Sequence, residues 1–177
     1  ASWGSTPQWV DVDQYGKNES YVTINGDGNY VKHNQYGHDP DGPNIGMNKA
    51  TTEIEGDFNT SDIEQEGQHN EAIHMIKGSK VYNNEAYTEQ DGYDNMAVIT
   101  QKSDGNYARQ LQDAWNGIGG VKDGNNEADR NESYITQETG ANHAETYQFG
   151  DDNKVWVIQK GDGNEAYADQ GVWDQER

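Results

Sequence analysis

The sequence predicts an all-β chain wound as a two-sheeted parallel β-solenoid, with about 22 residues per coil and about seven coils. Three observations predict it. Carboxamide residues recur every eleven positions, as in Gln137, Gln148, Gln159 and Gln170. Within each unit the recurring positions are two apart, which is the period of a strand with one face turned inward. Short Gly- and Asp-containing links separate the units, as in GDG at 161–163, and glycine enters positive φ freely enough to reverse the chain there.

The clearest stretch is 131–170. Asn131, Asn142, Asn153 and Asn164 form a second column, followed two residues later by Ser133, Ala144, Val155 and Ala166. A further column, two residues before each Gln, holds Ile135, Thr146, Val157 and Ala168. Helical spacing of apolar residues at i, i+3, i+4 and i+7 is missing from these units.

Taken in order, residues 1–12 are expected to lie outside the repeat as an N-terminal arm. The solenoid is expected to run from 13 to 170, and 171–177 to form a short tail. The register opens with Asn18, Ser20, Val22 and Ile24, then Asn29, Val31, His33 and Gln35. HDPDGP at 38–43 interrupts it, since proline cannot donate to a strand ladder. Phase resumes with Asn48, Asn59 and Asn70, and the Gln column there reads Ile54, Gln65, Ile76. GSKVYNN at 78–84 inserts three residues, after which Asn84, Asn95 and Asn106 stand in step with Gln90, Gln101 and Gln112. Between Asn106 and Asn131 the column advances 25 residues, two periods plus three, so 113–130 is the second expected weak point after 38–43.

Composition alone points the other way. The chain is 31% hydrophobic with 21 Gly and a formal net charge of −20, values that on their own describe disorder. An ordered core becomes possible if inward amides stack in register, each donating to one neighbour and accepting from the other. An inward amide without a partner costs about 1–3 kcal/mol. The outer face offers an independent check. Stacked neighbours should lie 22 apart, which places Lys154 by Glu132, Glu165 by His143 and Glu71 by Lys49, all matched in charge.

The motif Gln-x-Gly-x-Gly-Asn-x-Ala-x-x-x-Gln stands complete at 159–170, with near matches in QEGQHNEA (65–72) and QDGYDNMA (90–97). It resembles the curlin repeat of bacterial curli amyloid subunits, over about 13–170. Asn131 and Asn153 stand where many curlin half-repeats carry Ser. The resemblance implies a curlin-type coil that stacks end to end into a cross-β fibre. It also implies a secreted, extracellular structural subunit of the biofilm matrix, with a role in adhesion. Its partners would be copies of itself, a nucleating minor subunit and an outer-membrane secretion pore. Residues 1–12 would correspond by position to a secretion-targeting arm.

Other chemistry is weighed against this. No basic stripe accompanies the 12 Lys+Arg, so nucleic acid is not an expected partner. The chain has no cysteine, and no enzymatic constellation or cofactor motif stands out. GDGN at 26–29 and 161–164, with DGNN at 123–126, superficially resembles calcium-binding β-roll loops, though those repeats run in nines. Specific calcium sites, or a monomeric solenoid binding a surface or polysaccharide, are therefore the alternative; weak non-specific cation binding by the acidic surface is also expected. His33 and His74 are expected on one sheet, two coils and about 10 Å apart, as polar core filler.

Overall fold

The computed structural model describes residues 7–37, 47–113, 130–150 and 152–171. These hold thirteen strands and no helix. The strands are β1 (Trp9–Tyr15), β2 (Glu19–Asn25), β3 (Tyr30–Tyr36), β4 (Lys49–Asp57), β5 (Thr60–Gln68), β6 (Glu71–Tyr82) and β7 (Glu85–Tyr93). They continue as β8 (Met96–Gln101), β9 (Tyr107–Asp113), β10 (Glu132–Gln137), β11 (His143–Phe149), β12 (Lys154–Gln159) and β13 (Glu165–Gln170). The odd strands make a seven-stranded sheet in chain order and the even strands a six-stranded one. All pairings are parallel. The chain thus crosses between sheets after every strand and returns one layer further on, as a β-solenoid does.

The register is kept by the columns across the first and third insertions, while the second is a bulge in β6, where the partners of β4 step from Glu55↔Lys77 to Asp57↔Tyr82. Lys154 pairs with Glu132, Glu165 with His143 and Glu71 with Lys49, each 22 residues apart. Across the first insertion the partners are Tyr30↔Thr60 and Glu19↔Lys49. Across the third they are Met96↔Glu132 and Tyr107↔His143, 36 apart. The step from Asn106 to Asn131 is therefore one half-winding carrying fourteen extra residues, not two periods plus three. Residues 38–46 and 114–129, which hold most of the two expected weak points, lie outside the described residues. So do 172–177 of the tail and 1–6 of the arm.

One expected boundary moves. Residues 9–12 belong to β1, which pairs along its length with β3 from Trp9↔Tyr30 to Tyr15↔Tyr36. Gln8, Val10, Val12 and Gln14 are a half-repeat in their own right. It escapes an eleven-residue reading because Gln8 precedes Asn18 by ten. The coil has lost one residue in the link, and the inward pattern survives.

Inward residues fill a narrow core. In β3, β5, β7, β8, β10 and β11 alternate side chains are buried. Apolar members of that core include Val31, Ile54, Ile76, Ile99 and Ile135, and at least as many buried positions are polar. Most corners share one conformation. The residue just before the column Asn takes left-handed φ at Gly28, Gly105 and Gly163 and at Phe58, His69, Asp94, Ala141 and Asp152, whereas before Asn18 it is Gly16, one residue earlier, that does so. Side chains other than glycine cost energy there, and the corner hydrogen bonds hold them in place.

Gly67 illustrates a stricter corner. Its φ is +100°, and an added Cβ would stand 2.1 Å from the Gly92 carbonyl oxygen of the next layer. The obstacle is backbone, so relief requires the layers to part. Gly67→Ala is expected to destabilise the fold by at least about 2 kcal/mol, read as a lower denaturant midpoint.

Candidate functional site: amide ladders and open ends

The Gln column of the seven-stranded sheet is one continuous ladder. Nε2 of Gln14 donates to Oε1 of Gln35, then Gln35 to Gln65, Gln65 to Gln90, Gln90 to Gln112 and Gln112 to Gln148, over 2.5–2.9 Å. The last step, Gln148 to Gln170, is 3.5 Å. In the six-stranded sheet the ladder is shorter, Gln101 to Gln137 to Gln159 at 3.1 and 2.9 Å. Above Gln101 the column holds Ile24, Ile54 and Ile76, paired in register. The Gln101 Oε1 atom is consequently buried without a hydrogen-bond partner, because Ile76 has no donor to offer it.

The Asn columns work differently from the expected amide-to-amide stack. In each, the side-chain Oδ1 accepts the backbone N–H of the Asn one layer on. Asn59, Asn84, Asn106, Asn142 and Asn164 follow one another this way at 2.9–3.1 Å in one sheet. Asn48, Asn70, Asn95, Asn131 and Asn153 do so in the other, over the same range. Nδ2 also turns back to corner carbonyls, as from Asn70 to Gly92 at 2.9 Å and Asn131 to Gly150 at 2.7 Å. Asn supplies the corner with an acceptor that backbone geometry lacks, which is why it recurs there. Amide-to-amide bonds remain at Asn59–Asn29, Asn84–Asn59 and Asn164–Asn142.

A third chain of bonds runs up the middle and joins the two sheets. His33 and His74 are not on one sheet. His33 is on β3 and His74 on β6, because the insertion between β3 and β4 changes the count of half-windings separating them. Ser20 Oγ meets His33 Nδ1 at 2.7 Å, and His33 Nε2 meets Thr52 Oγ1 at 2.8 Å. Thr52 meets Ser61 at 2.7 Å, Ser61 meets His74 Nδ1 at 2.8 Å, and His74 Nε2 meets Thr88 at 2.8 Å. Thr88 donates to Gln110 at 3.3 Å, Gln110 to Ser133 at 2.9 Å, and Ser133 bonds Thr146 at 2.7 Å. Burial holds His33 down to about 4 and His74, also facing the charge of a protonated His33, to about 3. Both imidazoles are therefore neutral in the core.

The outer face carries ion pairs and a row of rings. Lys154 reaches Glu132 at 2.7 Å and Lys49 reaches Glu71 at 2.9 Å. His143, though in register with Glu165, bonds Glu145 at 2.8 Å instead. Its ring lies in a file up the seven-stranded sheet, with Tyr87–Tyr107 at 5.7 Å, Tyr107–His143 at 4.6 Å and His143–Tyr167 at 5.6 Å. Tyr134 and Trp156 stack at 5.6 Å on the other sheet. GDGN at 26–29 and 161–164 are corners; the Asp27 N–H bonds the Asp57 carboxylate at 2.7 Å. The DGNN at 123–126 lies outside the described residues.

The two ends expose what the middle buries. Val31, in the same column as Val10, is fully buried, yet Val10 is 49% exposed and its neighbour Val12 42% exposed. Every residue of β1 is exposed, and β13 buries none of its own. Large exposed apolar residues gather there, with Trp9, Tyr15 and Tyr21 at one end and Trp156, Ile158 and Tyr167 at the other. Among the described residues these are unpaired parallel edges, offering the columns that already hold adjacent layers together. No family model matches the chain, and none of the curated proteins matches it.

Proposed function

We propose that the chain is the structural subunit of a curli-like extracellular amyloid fibre, polymerising head to tail through its open solenoid ends. The observation that carries this reading is the pair of ends left uncovered by the described residues. Each presents backbone groups, apolar columns and amides in the arrangement that joins one layer to the next inside the molecule. The ladders also have a direction. A Gln donates to the Gln one layer towards the C terminus, and an Asn Oδ1 accepts from the layer on that same side. Only head-to-tail contact continues both, and such a contact does not close on itself. The curlin resemblance adds the biological setting: secretion through an outer-membrane pore, a nucleating minor subunit, and a place in the biofilm matrix and in adhesion.

The test is assembly of the purified chain. A concentration-dependent rise in thioflavin fluorescence, abolished lag on adding preformed fibres, and sedimentable filaments are expected. A chain that stays monomeric at every concentration contradicts the reading. Growth in chelator separates the calcium alternative, since calcium-dependent folding predicts loss of assembly there. The ring file favours a second reading, a monomeric surface-binding solenoid. On that reading Tyr107→Ala weakens retention on insoluble polysaccharide and no fibres form.

A further inference from the structure

This inference rests on the head-to-tail reading and concerns how consecutive copies are turned. Among the described residues, β1 and β13 both belong to the seven-stranded sheet. The two ends of the solenoid are therefore half a winding out of step. Suppose the next copy keeps the orientation of the first. Its β1 then lands on β13, while its β2 stands two strand spacings from β12, about 9.6 Å, too far for hydrogen bonds. Half of the junction stays open.

Turning the next copy by about 180° around the solenoid axis removes that gap. Its β1 then lies on β12 and its β2 on β13, each at the normal spacing. We propose that successive copies in the fibre are related by this half-turn, so that each sheet passes from the odd strands of one copy to the even strands of the next. The fold permits it because strands of the two sheets carry matching columns, apart from Ile24, Ile54 and Ile76 in the Gln column of the even sheet, which sets Ile24 against Gln170 at the junction. Asn131 before β10 and Ser133, Ile135 and Gln137 on it match Asn142 before β11 and Ala144, Thr146 and Gln148 on it. At the junction Val155, Val157 and Gln159 meet Val10, Val12 and Gln14, and Asn164 Oδ1 faces the N–H of Asn18. The amide ladder continues from Gln159 to Gln14 with its donor sense unchanged.

Side-chain charge does not choose between the arrangements. The half-turn stacks Glu165 on Glu19, and the unturned junction stacks Asp169 on Asp13, one like-charge pair each. Backbone pairing chooses, because two edges are satisfied in one case and one in the other. The half-turn also sets the Tyr21 ring on Tyr167 and Trp9 beside Lys154, both favourable neighbours.

The chain has no cysteine, so introduced pairs report the junction. Asp11→Cys with Trp156→Cys places the two thiols on stacked neighbours only after a half-turn, about 4.8 Å apart at Cα and within disulfide range. Asp11→Cys with Tyr167→Cys does so only without it. Mild oxidation of assembled fibres is expected to give detergent-stable multimers from the first variant, collapsing to monomer on reduction, and monomer alone from the second. Cross-linking in the second variant, in both, or in neither while fibres form overturns the half-turn and leaves polymerisation standing. If the unsubstituted chain forms no fibres, the head-to-tail reading falls, and this proposal with it. Fibre images of the unsubstituted chain give a check free of substitutions. A rise of about 31 Å per copy with rotation near 180° is expected, and about 34 Å with little rotation contradicts it.

Discussion

Gln137→Ile should cost about 2–4 kcal/mol, while replacing Gln101, Gln137 and Gln159 together by Ile should cost less per site. Gln137 accepts from Gln101 and donates to Gln159, and it also reaches the Tyr107 carbonyl at 2.8 Å and the Asn142 carbonyl at 3.1 Å. An isolated Ile strands the Gln159 oxygen, an orphaned buried group that carries a penalty of about 1–3 kcal/mol, and removes one of three acceptors of the Gln101 amide, which keeps the Glu85 and Asn106 carbonyls. The triple change removes both partners of every amide pair in that column. It also removes the orphaned Gln101 oxygen and continues the column Ile24, Ile54, Ile76 down to β12. The Asn106, Asn142 and Asn164 carbonyls keep their backbone donors, Glu85, Tyr107 and His143. Denaturant midpoints of the single and triple variants measure this. Three equal, additive losses would show that amide stacking across layers contributes nothing specific.

Acid should destabilise the chain through two histidines. His33 and His74 are neutral in the core, at about 4 and about 3, while the unfolded chain protonates near the ordinary 6.5. Both groups are depressed in the folded state, so the unfolded state binds more protons as pH drops below 6.5. Their contribution is complete above that value and is lost progressively down to 4 and then 3. By pH 4 the loss is on the order of 3 kcal/mol per histidine. The groups facing them are hydroxyls of Ser20, Thr52, Ser61 and Thr88, with no carboxylate in bonding reach to hold the charge. Approach to the pI of 4.3 works in the opposite direction, relieving the self-repulsion of a chain at −20. Replacing both histidines by Gln separates the two effects, since Gln110 already occupies the same column on β9 and bonds Ser133. Urea midpoints between pH 6.5 and 4 should fall in the parent and stay flat, or rise, in the double variant. An equal fall in both would place the acid sensitivity elsewhere.

How far the fold could be read from the residues depended on link length. Where links kept eleven residues, as from Asn131 to Asn164, the strands, their faces and the partners Glu132–Lys154 and Lys49–Glu71 follow directly from the period. Where a link changed length, parity was lost. One residue fewer before Asn18 hid β1, and the insertion after β3 placed His33 and His74 on opposite sheets. A solenoid tolerates such changes because the ladder resumes the same register on the far side of the altered link, as in Tyr30↔Thr60 and Met96↔Glu132. The corners themselves were legible only where they held glycine. Ala141 and Phe58 take the same left-handed φ without advertising it, the next residue being an Asn whose Oδ1 takes the backbone N–H of the following layer. The Ser–His–Thr chain left no signal, since it joins residues of two sheets at separations of 9, 13, 14 and 19.

Diffraction from an aligned preparation of the assembled chain tests the central claim most directly, because polymerisation through the ends continues the strand stack along the fibre. A meridional reflection near 4.8 Å, with an equatorial one near 10 Å from the sheet separation, is the expected result. Fibres with no meridional reflection near 4.8 Å would contradict it, since their strands would not be stacked along the axis of growth.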